Sequence, residues 1–304
     1  MLFCGDVLAQ AAPKDRRVLL VGPTRDLKAP SAAAATARNG DHIKIDAATY
    51  RDCAVWRASD LLIEGVGGTP HVRDVTCENQ AIWFILGSRV TVRNIEFSGA
   101  HATYNNGAGI KFMGSTLTVH DSKFHHNENG ILTAPDPTSA IRIYKSEFTD
   151  NGKCEPDCAH GIYIGKVARL TVTGSTFKHQ HSAHHIKSRA LMTELVNNHV
   201  EDGLDGTASF SVDLPNGGTA VIRQNYFQKG PQAENHLTMI SIGEEGATNP
   251  GRGVYIGQNS FLSSNPQLGS FVWNRALELP VVLEGNRFLG DAAMKLKGPG
   301  KVLP

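Results

Sequence analysis

IRIYKSEF (Ile141–Phe148) is followed, after a loop, by LTVTGSTF (Leu170–Phe177). Each stretch alternates apolar and polar residues, as a half-buried strand does, and places a serine two positions before a phenylalanine. Six further versions of this unit lie along the chain: VTVRNIEF ending at Phe97, LTVHDSKF at Phe124, TELVNNHV at Val200, AVIRQNYF at Phe227, VYIGQNSF at Phe261 and VVLEGNRF at Phe288. Successive ends are 27, 24, 29, 23, 27, 34 and 27 residues apart, a period that belongs to a stacked repeat. Ser122, Ser146, Ser175, Asn198, Asn225, Asn259 and Asn286 share one place in the unit, so stacking puts them in a polar ladder. The phenylalanines, with Val200 as the exception, form a second ladder indoors.

A second short strand follows each unit: AGIKF around Ile110, NGILT around Ile131, HGIYI around Ile162, HHIKS around Ile186, FSVDL around Val212 and TMISI around Ile240. Aligned on the central aliphatic, these strands predict a continuous inward column. Parallel coils spaced about 4.8 Å apart then build a cylinder of roughly 40 Å for eight turns. The predicted fold is all-β, a single-stranded right-handed parallel β-helix, its hand following from the chirality of parallel connections. PSAAAATARNGD (residues 30–41) reads as a short capping helix with Ser31 as N-cap and Asn39-Gly40 as its stop. Residues 13–304 form one domain on this reading, with coils over about 41–290, and residues 1–12 form a tail.

Composition agrees. The 304-residue chain is 40% hydrophobic, enough for a globular core, and 31 glycines suit a turn-rich β protein. Its 30 Lys+Arg balance 29 Asp+Glu without a basic run, which argues against a nucleic-acid partner, and no segment reads as a membrane span. MLFCGDVLAQAAP ends near a small-residue stretch, Ala9-Gln10-Ala11, and reads as a truncated export signal or an ordinary disordered tail. Cys53 and Cys77, 24 residues apart, are one coil apart, within disulfide reach. Cys154 and Cys158 are read as a small-loop disulfide rather than zinc ligands. Both pairs suit a secreted or periplasmic protein.

The run GDHIKIDAATYRD, LLIEGVGG, VTVRNIEFSGA, NGAGIKF, HGIYIG, HHIKSRA, VDLPNGG and GEEG, over about residues 38–290, resembles bacterial right-handed β-helix repeat proteins of the pectin-lyase-like superfamily. The resemblance implies the fold. It leaves the activity open, because that fold carries lyases, epimerases, hydrolases and adhesins.

Strand alternation turns the residue after each inward aliphatic outward, giving the column Lys111, Leu132, Tyr163, Lys187, Asp213, Ser241. The column before the aliphatic reads Gly109, Gly130, Gly161, His185, Ser211, Met239, and is also expected to face out beside it. Tyr163, Lys187, His185, Arg189 and Asp213 are therefore expected on one patch with a glycine floor. His160 and His184 fall at inward parity but sit where a turn can redirect them to flank that floor. The HQHSAHH segment (residues 179–185) lacks a familiar metal-ligand spacing, so no metal is assigned to it. No cofactor is required; Glu244 and Glu245, one coil past Asp213, are placed to reach the patch rim or to hold a calcium ion.

These groups suit β-elimination or C-5 epimerisation of an acidic polysaccharide or oligosaccharide by a monomeric protein. Arg189 would pair the uronate carboxylate, Tyr163 would exchange the proton beside the Lys187 charge, and His185 or His160 would be its partner. The IKSRA run is similar to the lysine-serine segment of the alginate lyase and chondroitinase B family, which implies a base role for Lys187. The arginine those lyases carry on the next coil is replaced here by Asp213, which favours the charged lysine and speaks against that specific mechanism. Two alternatives stay open. One is a glycoside hydrolase pairing Asp213 with a loop carboxylate, Asp205, Glu244 or Glu245. The other is a non-catalytic polysaccharide-binding or structural β-helix.

Overall fold

The computed structural model describes residues 16–304; the expected tail or export signal lies outside the described residues. Three parallel sheets wind as a right-handed β-helix, each coil giving one short strand to each sheet. One sheet has 12 strands, from Val18–Val21 to Lys301–Leu303; the second has 10, from Ala54–Trp56 to Met294–Lys297; the third has 10, from Thr49–Tyr50 to Arg287–Gly290. Pairing thus starts before and continues past the coils expected over 41–290: Val18–Val21 already pairs with His42–Asp46. Among the described residues, no helix is long and apolar enough to cross a membrane.

The repeat register is the one that the aliphatic columns predict. Ile131 pairs with Ile162, Ile162 with Ile186, Ile186 with Val212 and Val212 with Ile240, all without solvent exposure. Phe97, Phe124, Phe148 and Phe177 stack with ring centroids 4.6–5.0 Å apart. Val200 interrupts the stack, which resumes through Phe227, Phe261 and Phe288. The polar ladder runs beside it. The backbone N–H of Ser122 donates to Ser146 Oγ, that of Ser146 to Ser175 Oγ, and that of Ser175 to Asn198 Oδ1, and the relay continues to Asn286. Each rung answers a need of the corner before it. Asn94, Asp121, Lys145, Gly174, Asn197, Gln224, Gln258 and Gly285 all have positive φ, which breaks the strand and leaves the next N–H without a sheet partner.

Two expectations at the N-terminal end need adjustment. The helix spans Pro30–Thr36 and ends at Ala37 rather than at the expected Asn39-Gly40 stop, with Ala29 at the N-cap position and Pro30 inside the first turn, where its missing N–H costs nothing. Ser31 is therefore helical rather than the cap; its N–H is satisfied instead by Asp52 Oδ2 at 2.7 Å. Ala33 is fully buried against the first coil, so the helix covers the end of the core as expected. Both expected disulfides are present, Cys53–Cys77 and Cys154–Cys158.

Candidate active site

On the second sheet, Tyr163 pairs with Lys187, Lys187 with Asp213 and Asp213 with Ser241, so the predicted outward column is continuous. Arg189 lies just past its strand, tied by its N–H to Ile164 O at 2.9 Å, and its side chain turns back over the column. The guanidinium donates from Nε to the Tyr163 hydroxyl at 2.9 Å and from Nη1 to Asn216 Oδ1 at 2.6 Å. Its Nη2 reaches Glu245 Oε2 at 2.6 Å, while Lys187 Nζ reaches the other oxygen, Oε1, at 3.0 Å. One carboxylate is thus gripped by two cations on neighbouring positions of one strand and its end. Burial works against the Glu245 charge, but the hydrogen bonds from Lys187 and Arg189 outweigh it and hold its carboxyl below the usual range. Glu245 arrives on a tight turn between Gly243 and Gly246, both at positive φ.

The histidines are not where strict alternation puts them. Pairing passes from His184–Phe210 directly to Ile186–Val212, leaving residue 185 out of the register. His185 is 1% exposed and, like Ile186 beside it, lies in the interior, away from the patch. A Cβ on Gly109 or Gly130, at the same place in earlier coils, would strike the buried Phe124 or Phe148 ring at 2.7 Å, which marks this column as inward. His185 Nε2 meets Asp202 Oδ1 at 2.8 Å. Asp202 Oδ2 accepts the Gly230 N–H, and the fully buried Lys229 donates to the carbonyls of Ala208 and Ser209. Burial opposes the Asp202 charge, yet the His185 hydrogen bond and Lys229 keep its carboxyl low; burial also brings the Lys229 ammonium down to about 8. This network is a sealed polar pocket under the sheet, and His185 leaves the set of groups that can touch a substrate.

His184 and His160 take its place. They stack with centroids 4.9 Å apart, and Phe210 continues the stack at 4.8 Å. His160 Nδ1 accepts the His184 backbone N–H and His184 Nδ1 accepts that of Phe210, each at 3.3 Å. A neutral imidazole that accepts at Nδ1 carries its proton on Nε2, so both rings present N–H donors to the cleft. Burial, then neighbouring charges including Lys187, push both well below the ordinary histidine range. His184 Nε2 stands 3.5 Å from Asp213 Oδ2, which Lys187 Nζ also approaches at 3.5 Å. Asp213 is only 2% exposed and its Oδ1 is buried without a hydrogen-bond partner. Burial, opposed by Lys187 and reinforced by Glu244 and Glu245, pushes its carboxyl up to about 7.

Two adjoining hollows, of about 480 and 690 Å³, share His184, Lys187, Ser209 and Glu234 and form a groove along the sheet. Asn129, His160 and Tyr163 line one part, walled by the Cys154–Cys158 loop; Asp213, His236, Leu237 and Glu245 line the other. Glu244 and Glu245 do reach the rim. Their oxygens are engaged, Glu244 with Ser241 at 3.0 Å and Arg275 at 3.7 Å, Glu245 with Lys187 and Arg189. At the rim both carboxylates thus face cationic side chains.

Residues 59–200 match the family described as right handed beta helix region. No curated protein matches the chain. Among solved structures, pectate lyase Pel9A superposes with a TM-score of 0.65 at 15% identity, over 94% of this chain and 81% of that one. The Azotobacter vinelandii mannuronan C-5 epimerase AlgE4 A-module gives 0.50 at 11%, over 90% of this chain and 93% of that one. ORF18 of Geobacillus virus E2 gives 0.54 at 14%, over 86% of this chain, which spans only 52% of the viral protein. At these identities the likeness is one of fold.

Proposed function

We propose that this groove binds an acidic polysaccharide or oligosaccharide and acts on its uronate residues by β-elimination or C-5 epimerisation. The observation that carries the reading is the grip of Lys187 and Arg189 on the Glu245 carboxylate beside the Tyr163 hydroxyl. Glu245 occupies the place that a uronate carboxylate would take. Once such a carboxylate displaces it, the two cations neutralise the charge next to the acidic carbon, which both reactions require.

The shared first step removes the proton at C-5. The C–H electron pair moves into the carboxylate, and the added negative charge is held by Lys187 and Arg189. Tyr163 is the proton-exchanging group, because Arg189 Nε, 2.9 Å from its oxygen, stabilises charge there when the proton is away. His160 and His184 stay neutral and offer Nε2–H donors to the glycosidic or ring oxygens. In elimination the electron pair then expels the C-4 oxygen, which takes a proton; in epimerisation a proton returns to C-5 from the opposite face. Asp213, poised near neutrality, orients Lys187 and His184 and is the nearest second acid or base.

Hydrolysis is favoured less because it needs two carboxyl groups across the bond. Asp213 meets the acid half, but Glu244 and Glu245 are tied to cations. Two disulfides favour an oxidising compartment, and we take the protein to work outside the cytosol.

A screen of acidic polysaccharides tests the reading. Ultraviolet-absorbing unsaturated ends together with new reducing ends support elimination, and deuterium uptake into intact polymer supports epimerisation. Reducing ends alone would replace the proposal with hydrolysis. Binding without turnover would leave a carbohydrate-binding β-helix.

A further inference from the structure

The third sheet carries a second constellation, remote in fold from the groove. His71 on His71–Arg73, Glu96 on Glu96–Ser98 and His125 on Lys123–His125 belong to three successive coils, in register His71 with Glu96 and Ser98 with His125. One donor atom from each lies within 4.8 Å of the other two. His125 Nε2 is 2.9 Å and His71 Nδ1 is 3.6 Å from the same Glu96 oxygen. Ligands of a tetrahedral zinc ion, with bonds of about 2.0–2.1 Å, stand roughly 3.4 Å apart. We infer that His71, Glu96 and His125 form a binding site for a divalent transition-metal ion, zinc by its donor set, that staples three coils together.

Orientation supports this beyond proximity. Histidines that ligate metal hold the other ring nitrogen in a hydrogen bond, which fixes tautomer and aim. Here His71 Nε2 meets Ser98 Oγ at 2.6 Å, leaving Nδ1 toward Glu96, and His125 Nδ1 meets His126 Nδ1 at 2.9 Å, leaving Nε2 toward Glu96. The ligands stand on strands locked into the sheet rather than on loops, so little order has to be gained on binding. Their side chains are 20–28% exposed, which leaves the remaining coordination positions to water. Two imidazoles and one carboxylate suit zinc, copper or nickel rather than calcium or magnesium.

The test uses the full chain stripped with a chelator and then titrated with zinc chloride by calorimetry, with the melting temperature followed in parallel. One equivalent is expected to bind and to raise the melting temperature. His71→Ala and His125→Ala should each weaken binding more than tenfold, and His181→Ala, remote from the cluster, should not. Cobalt(II) added to the unaltered chain should give a visible d–d spectrum of a low-coordinate nitrogen and oxygen site, a readout that survives even if a variant fails to fold. No heat and no spectrum, or undiminished stoichiometric binding in a folded His71→Ala/His125→Ala double variant, would overturn the assignment.

Discussion

Lys187 and Asp213 are register partners on adjacent coils, 3.5 Å apart between Nζ and Oδ2, yet the ammonium makes its closer contact, 3.0 Å, with Glu245. The aspartate therefore has to share its cation while its other oxygen is buried without a partner. Burial, with the negative charges of Glu244 and Glu245 added, pushes its carboxyl up to about 7 despite the lysine beside it.

The linkage sign follows. A carboxyl raised from its ordinary 3.8 to about 7 contributes stability that is complete below the unfolded value and lost as pH rises through 7. At about 1.4 kcal/mol per unit, the loss between pH 4 and 8 is at most roughly 4 kcal/mol. His160 and His184 act in the opposite sense, since depressed histidines add stability above their unfolded pKa, so the useful quantity is a difference between proteins. Asp213→Asn is expected to melt close to the parent at pH 4–5 and above it at pH 8. A variant less stable than the parent at pH 8 would mean that the Lys187 pair, not the burial penalty, dominates.

On the proposed function, Glu245 would compete with an acidic substrate for Lys187 and Arg189, which it pairs with here. Glu245→Gln should tighten binding of an acidic oligosaccharide by roughly 2- to 30-fold, because it frees two partly exposed ion pairs each worth about 0.2–1 kcal/mol. The variant's affinity should also fall more steeply with salt, since the cations then meet only the ligand. Titration calorimetry at two salt concentrations checks both. Weaker binding in the variant would show that Glu245 positions Lys187 and Arg189 rather than blocking them.

The ladder should be strongest where amides stack. Asn225 accepts from the Asn198 backbone and side chain at 2.8 and 2.9 Å, and donates to Leu195 O and Asn259 Oδ1 at 2.9 and 3.0 Å. Asn225→Ala leaves a buried N–H and carbonyl unpaired and is expected to cost about 2–4 kcal/mol in urea denaturation. Ser122→Ala removes fewer bonds, from Ile95 N–H and to His120 O, and should cost about 1–2 kcal/mol. Equal losses would argue against cooperation along the stacked amides.

The sequence carried the coil period, both ladders, both disulfides and the column Tyr163, Lys187, Asp213, because a strand period of two and a recurrent aromatic determine which side chains share a face. It misplaced His185 and left His184 and His160 undecided for one physical reason. Two consecutive buried positions, the aliphatic at Ile162, Ile186 and Val212 and the residue before it, break the two-residue period, and the sequence trace of this is the small residue at Gly109, Gly130 and Gly161. His71, Glu96 and His125 were missed because each sits alone in its own repeat. Counting from the aligned Val72, Phe97 and Phe124 would have brought them together.

The site itself is tested by separating the hydroxyl, the cations and the buried histidine. Tyr163→Phe keeps the ring that packs against His160 at 5.3 Å and removes only the oxygen that Arg189 holds, so turnover should fall by about 10²–10⁴ with affinity nearly unchanged. Lys187→Met and Arg189→Lys keep bulk but lose the paired grip on a carboxylate, so KM should rise together with a loss of kcat, because the same charge is larger in the transition state. His185→Gln lies outside the groove; losing its bond to Asp202 should cost about 1–3 kcal/mol of stability while the folded protein keeps its kcat. The four variants are compared by steady-state kinetics on a confirmed substrate, with melting temperatures measured alongside. A His185→Gln protein that is stable but inactive would return catalysis to the interior network. A fully active Tyr163→Phe would remove tyrosine from proton transfer and leave Asp213 as the group to examine.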